Sequence, residues 1–137
     1  MRVLVCGGRK FGEDNEAEVA LLNNVLNSFF RIDLIINGAA KGADSLSTKW
    51  AREHRVPCLM YPALWDKHGK AGGHIRNKKM LDQSEPDMVV AFPGGKGTAN
   101  MIALASTKGV GVWDLSEKNE FNKQFVVPVN AENSKED

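Results

Sequence analysis

The chain has 137 residues, of which 42% are hydrophobic and 26% are charged, and these proportions are typical of one globular domain. No apolar run is long enough to cross a membrane, and the formal net charge of +1 argues against a nucleic acid or another long polyanion as the partner. Cys6 and Cys58 stand outside any metal-binding spacing. We therefore expect free thiols in the cytoplasm, with no metal and no cofactor.

The first half of the chain alternates between strand and helix patterns. Val3–Cys6 is a short apolar run that ends at two glycines, which is typical of a buried strand. Apolar residues recur at helical spacing from Asp14 to Phe30, and Asp14 is suited to cap this helix. The pattern then predicts a second strand at Asp33–Ile36, a second helix from about Asp44, and a third strand at Val56–Tyr61.

The second half continues this alternation after a long polar segment. Leu64–Gly73 is rich in glycine and lysine, and we predict a loop there. The elements that follow are a helix at His74–Gln83, a strand at Asp87–Phe92, a helix at Gly97–Lys108 and a strand at Val110–Trp113. Residues 116–137 form a polar extension, in which Phe125–Val127 is a candidate edge strand and Asn130–Asp137 is expected to be disordered.

This alternation predicts an α/β fold for residues 1–115. Apolar strands that alternate with helices form right-handed βαβ units, so the expected architecture is a Rossmann-like, doubly wound parallel sheet of about five strands with helices on both faces. The expected strand order is 3-2-1-4-5. In such a sheet the chain reverses direction between the first and fourth strands, and ligands bind outside the carboxyl ends of the strands at that point.

The glycines are concentrated at the same predicted edge. Of the thirteen glycines, eleven lie in the loops that follow the first four predicted strands. The loop Pro93–Thr98 opens a helix, so its backbone N–H groups and the helix dipole favour a bound anion. The residues expected to bind phosphate are Gly7, Gly8 and Arg9 after the first strand, and Gly94, Gly95, Lys96, Gly97 and Thr98 after the fourth.

Two better-known nucleotide motifs do not fit this loop. A P-loop requires lysine directly after its last glycine, whereas Lys96 here precedes Gly97. A dinucleotide fingerprint would require glycine at the position of Asn100. Hydrolysis of ATP by P-loop chemistry and ordinary NAD binding are therefore not expected.

The loop after the second strand is a second candidate contact for the ligand. Gly38, Lys41 and Gly42 would let a ligand lie against the backbone next to a positive charge. Asp44 has two interpretations, which are compatible with each other. It caps the second helix, or its carboxylate binds a ribose hydroxyl or acts as a catalytic acid or base.

The segment from Tyr61 to His74 is interpreted as a lid over the ligand. Trp65 either stacks on a base or anchors this segment to the core. Arg76 opens the following helix directly after the glycine-rich segment, and an arginine in that position is suited to grip a phosphate.

Together these motifs resemble the SLOG superfamily of Rossmann-like domains, and within it the small YspA-like, cpYpsA-related branch. The resemblance covers about Met1 to Trp113 and is carried by five motifs. These are Gly7-Gly8-Arg9, the run from Gly38 to Asp44, Pro62–Trp65, Arg76-Asn77 and Pro93–Thr98. The superfamily includes the "lonely guy" phosphoribohydrolases, molybdenum-cofactor carriers, the DNA-processing protein of natural transformation and sensors of nucleotide-derived signals.

Similarity to the phosphoribohydrolases implies that Arg76 and the Pro93–Thr98 loop hold a ribose 5′-phosphate. It also leaves a homodimer as an open expectation, because those relatives are dimers. Those enzymes carry a glutamate in PGGxGTxxE that acts at the N-glycosidic bond, and this chain has Met101 at that position. Methionine cannot activate water or stabilise a developing positive charge.

The departure at Met101 favours binding over catalysis. The leading expectation is a sensing or carrier domain for a small nucleotide or nucleotide-derived phosphate ligand. One alternative is an enzyme that cleaves the N-glycosidic bond of nucleoside 5′-monophosphates, with Asp44 as the catalytic residue. A further alternative, by analogy with the DNA-processing relatives, is single-stranded nucleic-acid binding, which would depend steeply on salt.

Overall fold

A five-stranded parallel sheet organises the described part of the protein. The structure is a computed structural model that describes residues 1–116. The strands are β1 (Arg2–Cys6), β2 (Leu34–Asn37), β3 (Cys58–Met60), β4 (Met88–Ala91) and β5 (Gly111–Asp114). They pair in the order β3-β2-β1-β4-β5, and every pair is parallel. This confirms the predicted strand order, and it places the loops after β1 and β4 side by side.

Helices cover both faces of the sheet. They are α1 (Glu16–Asn27), α2 (Ala43–Glu53), α3 (Trp65–His68), α4 (Gly72–Ser84) and α5 (Lys96–Lys108). Val3 and Val5 of β1 pack with α1 and α2, whereas Leu4 and Cys6 pack with α4 and α5. This alternation follows from the two-residue period of a strand. Because both faces are buried, β1 is apolar at consecutive positions, which explains the unbroken run in the sequence.

The first helix is shorter than its apolar pattern predicts. Asp14 is not the cap: it has a φ of +50°, and Asn15 caps α1 by accepting a hydrogen bond from the backbone N–H of Glu18 at 3.1 Å. The helix ends at Asn27 rather than Phe30. Phe29 lies beyond the helix and packs edge-on against Trp113, with ring centroids 5.9 Å apart. This contact explains why the apolar pattern extends past the end of α1.

The segment predicted as a polar loop is largely helical. Trp65–His68 forms the short helix α3, Gly69–Ala71 forms a turn of 3-10 helix, and α4 already begins at Gly72. The prediction was wrong because α3 is too short to show a helical period. Its conformation depends instead on the contact of Trp65 with the first turn of α4.

Residues 117–137 are not among the described residues. The candidate edge strand Phe125–Val127 and the predicted disorder of Asn130–Asp137 therefore lie outside the described part of the chain. Within residues 1–116, no helix is long and apolar enough to cross a membrane.

Gly8 joins three of the loops at the carboxyl edge of the sheet. Its N–H donates to the carbonyl oxygen of Pro93 at 2.9 Å. Its own carbonyl oxygen accepts hydrogen bonds from Phe11 and from Ala43, the first residue of α2, both at 3.2 Å. The loops after β1, β2 and β4 are thereby held in fixed positions relative to one another.

This close approach makes Gly42 sensitive to substitution. Gly42 has a φ of +78°, and an added Cβ would overlap the carbonyl oxygen of Gly8. We expect Gly42→Ala to lower the free energy of unfolding by roughly 2–3 kcal/mol, measured by urea denaturation. Gly97→Ala is the matched control, because an added Cβ there meets no atom within 4 Å and the position is helical. It should be neutral or stabilising by up to about 1 kcal/mol, and equal losses in both variants would contradict the argument.

Candidate ligand-binding cleft

A cleft of about 430 Å³ opens at the carboxyl edge of the sheet, where β1 and β4 lie side by side. Cys6 and Met80 lie at its base, and the loops after β1, β2 and β4 form its walls. The predicted site residues that line it are Gly7, Gly8, Arg9, Gly38, Asp44, Trp65, Arg76, Gly95, Lys96, Gly97 and Thr98. Its volume is in the range of small-molecule sites.

The amino terminus of α5 presents free hydrogen-bond donors to this cleft. The first helical hydrogen bond runs from Ala99 N to Gly95 O, so the N–H groups of Lys96, Gly97 and Thr98 have no acceptor among residues 1–116. Gly95, the N-cap, has no side chain to supply one. The Thr98 hydroxyl also has no partner among the described residues, although Thr98 is only 7% exposed. These donors and the helix dipole favour an anion at this place.

Three of the predicted site residues lie outside this cleft. Gly94 packs against Gly8 and Thr98, because an added Cβ there would approach the Thr98 hydroxyl and come within 2.7 Å of Gly8 N. Gly42 supports the same loop packing, as described above. Lys41 is exposed and lines a neighbouring cavity. The glycines at positions 42 and 94 are thus explained by contacts between loops.

Much of the Arg76 guanidinium is already bound to the protein. Nη1 donates to the carbonyl oxygens of Gly38 and Tyr61, and Nε donates to Asn77 Oδ1 at 3.0 Å. Burial lowers the pKa of Arg76, and the nearby carboxylate of Asp44 partly offsets this effect. The Nη2 hydrogens have no partner among residues 1–116, so this end of the side chain remains available to a ligand.

Asn77 connects the two helices that border the cleft. It belongs to the Arg76-Asn77 motif of the resemblance but was not predicted as a site residue. It is buried, and its Nδ2 donates to Gly97 O at 3.1 Å and to Asn100 Oδ1 at 3.0 Å. Its own Oδ1 accepts the hydrogen bond from Arg76 Nε, so the amide of Asn77 positions both Arg76 and the first turn of α5. The available indication was its position, because Asn77 is in phase with the buried Met80 and Leu81 of α4.

Asp44 is a buried carboxylate that lines the cleft. Its Oδ2 accepts hydrogen bonds from the backbone N–H groups of Gly38 and Ala40, both at 3.1 Å, while its Oδ1 has no partner among residues 1–116. Burial raises the pKa of Asp44 to about 6, although these hydrogen bonds and the charge of Arg76 oppose the rise. Asp44 does not cap α2, because the N-cap is Gly42 and Asp44 is already the second residue of the helix. It is instead a structural acceptor for its loop and a group suited to accept a hydrogen bond from a ligand or to exchange a proton near neutral pH.

Trp65 and Arg9 pair at the mouth of the cleft. The Arg9 Cζ atom lies 5.3 Å from the centre of the indole ring, a cation–π arrangement. The other neighbour of the ring is the start of α4, since an added Cβ at Gly72 would come within 2.9 Å of Trp65 Cε3. Trp65 is thus anchored to the protein, as one interpretation expects, and it still remains 45% exposed beside the cleft.

Neither of two further groups near the cleft is suited to catalysis. Burial raises the pKa of the Cys6 thiol far above its usual range, so it is protonated at neutral pH and is not a nucleophile. Met101 occupies the position at which the phosphoribohydrolases carry their glutamate. Its side chain is fully buried between α5 and the sheet and does not line the cleft.

Comparisons with known proteins agree with the fold and the motifs. The model of the YspA, cpYpsA-related SLOG family matches residues 1–68. The Gene 61 protein of Mycobacterium phage D29 is 30% identical over 124 residues, which cover 85% of this chain and 98% of that protein. The X-ray structure of TM1055, a Northeast Structural Genomics Consortium target, covers 82% of this chain and 72% of its own, with a TM-score of 0.59 at 21% identity, and so shares the fold. The chain belongs to the YspA, cpYpsA-related SLOG family.

Proposed function

We propose that this protein binds a nucleotide or nucleotide-derived phosphate ligand in the cleft and acts as a sensor or carrier of it. The observation that carries the proposal is the open amino terminus of α5. Three backbone N–H groups and the Thr98 hydroxyl lie together there, and none of them has a partner among residues 1–116. They are therefore available to an anion. Lys96 adds a positive charge at the same place.

Other parts of the cleft suit the remainder of a nucleotide. Asp44 has one carboxylate oxygen without a partner among the described residues, and this oxygen is suited to accept a hydrogen bond from a ribose hydroxyl. The indole ring of Trp65 is available at the mouth for contact with a base. A cleft of about 430 Å³ is large enough for a mononucleotide.

Calorimetric titration with the four ribonucleoside 5′-monophosphates tests this proposal. Inorganic phosphate and the four nucleosides serve as controls that lack one part of the ligand. We expect at least one monophosphate to bind more tightly than both its nucleoside and inorganic phosphate, because the base and the phosphate contact different walls of the cleft. If the folded protein binds none of these compounds or their diphosphates, the proposal fails.

An enzymatic function is a second candidate because of Asp44. Among the described residues, Asp44 is the one carboxylate that lines the cleft, and its raised pKa is suited to proton transfer. The reaction would add water at C1′ of the ribose, break the bond from C1′ to the base nitrogen, and release the base with a proton. Met101 contributes nothing to such a step, since it is buried in the core.

The same titration samples distinguish the two candidates. After incubation they are separated by chromatography and searched for free base. If base is released, Asp44→Asn should stop the release while monophosphate binding persists. If every monophosphate is recovered intact, the protein binds without hydrolysis.

A further inference from the structure

A second cavity of about 450 Å³, which we call the outer lobe, adjoins the binding cleft at the Arg9–Trp65 pair. It shares several wall residues with the cleft, namely Arg9, Gly38, Ala40, Trp65 and Arg76. The remaining wall residues are Ala39, Lys41, Pro62 and Ala63. The two cavities therefore adjoin each other along these residues, which include the Arg9–Trp65 pair.

The charged side chains that line the outer lobe are all cationic. They are Arg9, Lys41 and Arg76, and no Asp or Glu side chain of the described residues lines this cavity. Arg9 and Lys41 form no hydrogen bond or ion pair with residues 1–116, and the one ring contact of Arg9 within this range is with Trp65. Such groups gain most from an anionic partner that comes from outside the protein.

The two arginines between the lobes also repel each other. The charge of Arg9 adds to burial in lowering the pKa of Arg76, so the two guanidinium groups are close enough to interact. Asp44 offsets part of this repulsion from the inner side. On the outer side, nothing among residues 1–116 does so. A phosphate placed between Arg9 and Lys41 would neutralise this excess of positive charge.

We propose that the outer lobe binds a second phosphate group, so that the ligand is a nucleotide with at least two phosphates. One phosphate lies at the amino terminus of α5, and the other lies between Arg9 and Lys41. This inference rests on the proposed function, because it assumes that the inner cleft binds a nucleotide phosphate. The second phosphate is either joined to the first, as in a 5′-diphosphate, or carried at another ribose position, as in a 3′,5′-bisphosphate.

Calorimetry with matched phosphate series tests this inference. The probes are inorganic phosphate, pyrophosphate, and the adenosine, guanosine, cytidine and uridine 5′-monophosphates, 5′-diphosphates and 3′,5′-bisphosphates. For the preferred base we expect the second phosphate to lower Kd by about tenfold or more, the effect of one additional charge-assisted contact. Tighter binding of the diphosphate or of the bisphosphate identifies where the second phosphate is attached.

Variants of Lys41 show whether the gain arises in the outer lobe. Lys41→Ala should abolish most of the gain from the second phosphate and leave monophosphate binding unchanged. Lys10→Ala is the matched control, because it removes one positive charge from the same end of the molecule, outside both lobes. Equal affinities for one and two phosphates, or an equal loss in both lysine variants, would overturn the inference while leaving the proposed function intact. If none of the probes binds, both proposals fail.

Discussion

Lys96→Pro should weaken binding of the preferred ribonucleoside 5′-monophosphate by about 10- to 100-fold more than Lys96→Ala does. Both substitutions remove the lysine charge, but only proline also removes the backbone N–H. A hydrogen bond to a charged group contributes about 1.5–3 kcal/mol, which corresponds to this range of affinity. The difference between the two variants therefore measures the contribution of one helix N–H to phosphate binding.

The helix is expected to tolerate this proline. Lys96 is the first residue of α5, a position where proline is favoured because its missing N–H has no helical acceptor. The preceding residue, Gly95, is not helical, with φ −106° and ψ −141°, and it has no Cβ to clash with the proline ring. Thermal denaturation should confirm that both variants fold. Equal affinities of folded Lys96→Pro and Lys96→Ala would show that this N–H does not contact the phosphate.

The arrangement of the sheet was predictable because it depends on features that are local in the sequence. The strands β1, β2 and β4 contain unbroken apolar runs, as in Val3–Cys6, and a helical pattern follows each of them. Parallel pairing with right-handed crossovers then leaves few possible strand orders. From the order 3-2-1-4-5 it follows that Gly8 and Pro93 lie side by side, and the hydrogen bond between them is part of the site.

The roles of individual side chains were less predictable, because they depend on contacts distant in sequence. Arg76 was predicted to bind a phosphate. In the structure, most of its N–H donors already form hydrogen bonds with Gly38, Tyr61 and Asn77. An arginine has five donors, and the sequence does not show how they are divided between protein and ligand. Gly94 likewise was expected to approach a ligand, whereas it packs against Gly8 and Thr98.

The helix α3 illustrates a further limit of sequence patterns. A stretch of four residues, Trp65–His68, is too short to show a period, and the surrounding glycines favour a loop. What stabilises it is the packing of the Trp65 ring on Gly72 and Gly73 at the start of α4. A side chain at Gly72 would displace the ring, so these glycines serve a contact within the protein.

Asp44 provides the second prediction with a large effect, because its carboxylate is buried at a cost in stability. The pKa of Asp44 is raised from 3.8 to about 6 by burial. At about 1.4 kcal/mol per pKa unit, this rise corresponds to roughly 3 kcal/mol. Below pH 3.8 the group is neutral in both the folded and the unfolded state, so it carries no penalty. As the pH rises from 3.8 through about 6, the unfolded chain ionises while the folded protein keeps its proton, and stability is lost. Above about 6 the folded protein holds a buried negative charge, and the penalty stays constant.

Asp44→Asn should remove this dependence on pH. Asparagine retains an oxygen for the N–H groups of Gly38 and Ala40 but cannot ionise. Relative to the natural chain, the free energy of unfolding of the variant should therefore rise by roughly 2–3 kcal/mol between pH 4 and pH 8, whatever difference separates the two proteins at pH 4. Most of the change should occur between pH 4 and pH 7. Urea denaturation of both proteins across this range measures it.

The control for this experiment is Asp66→Asn, which removes one negative charge from an exposed position on α3. If the two asparagine variants show the same dependence on pH, burial of Asp44 is not the cause, and the argument fails. If only Asp44→Asn is stabilised at pH 8, the chain maintains a costly carboxylate in its cleft. Such a cost is characteristic of groups kept for binding or catalysis, because an asparagine would satisfy the same backbone donors without it.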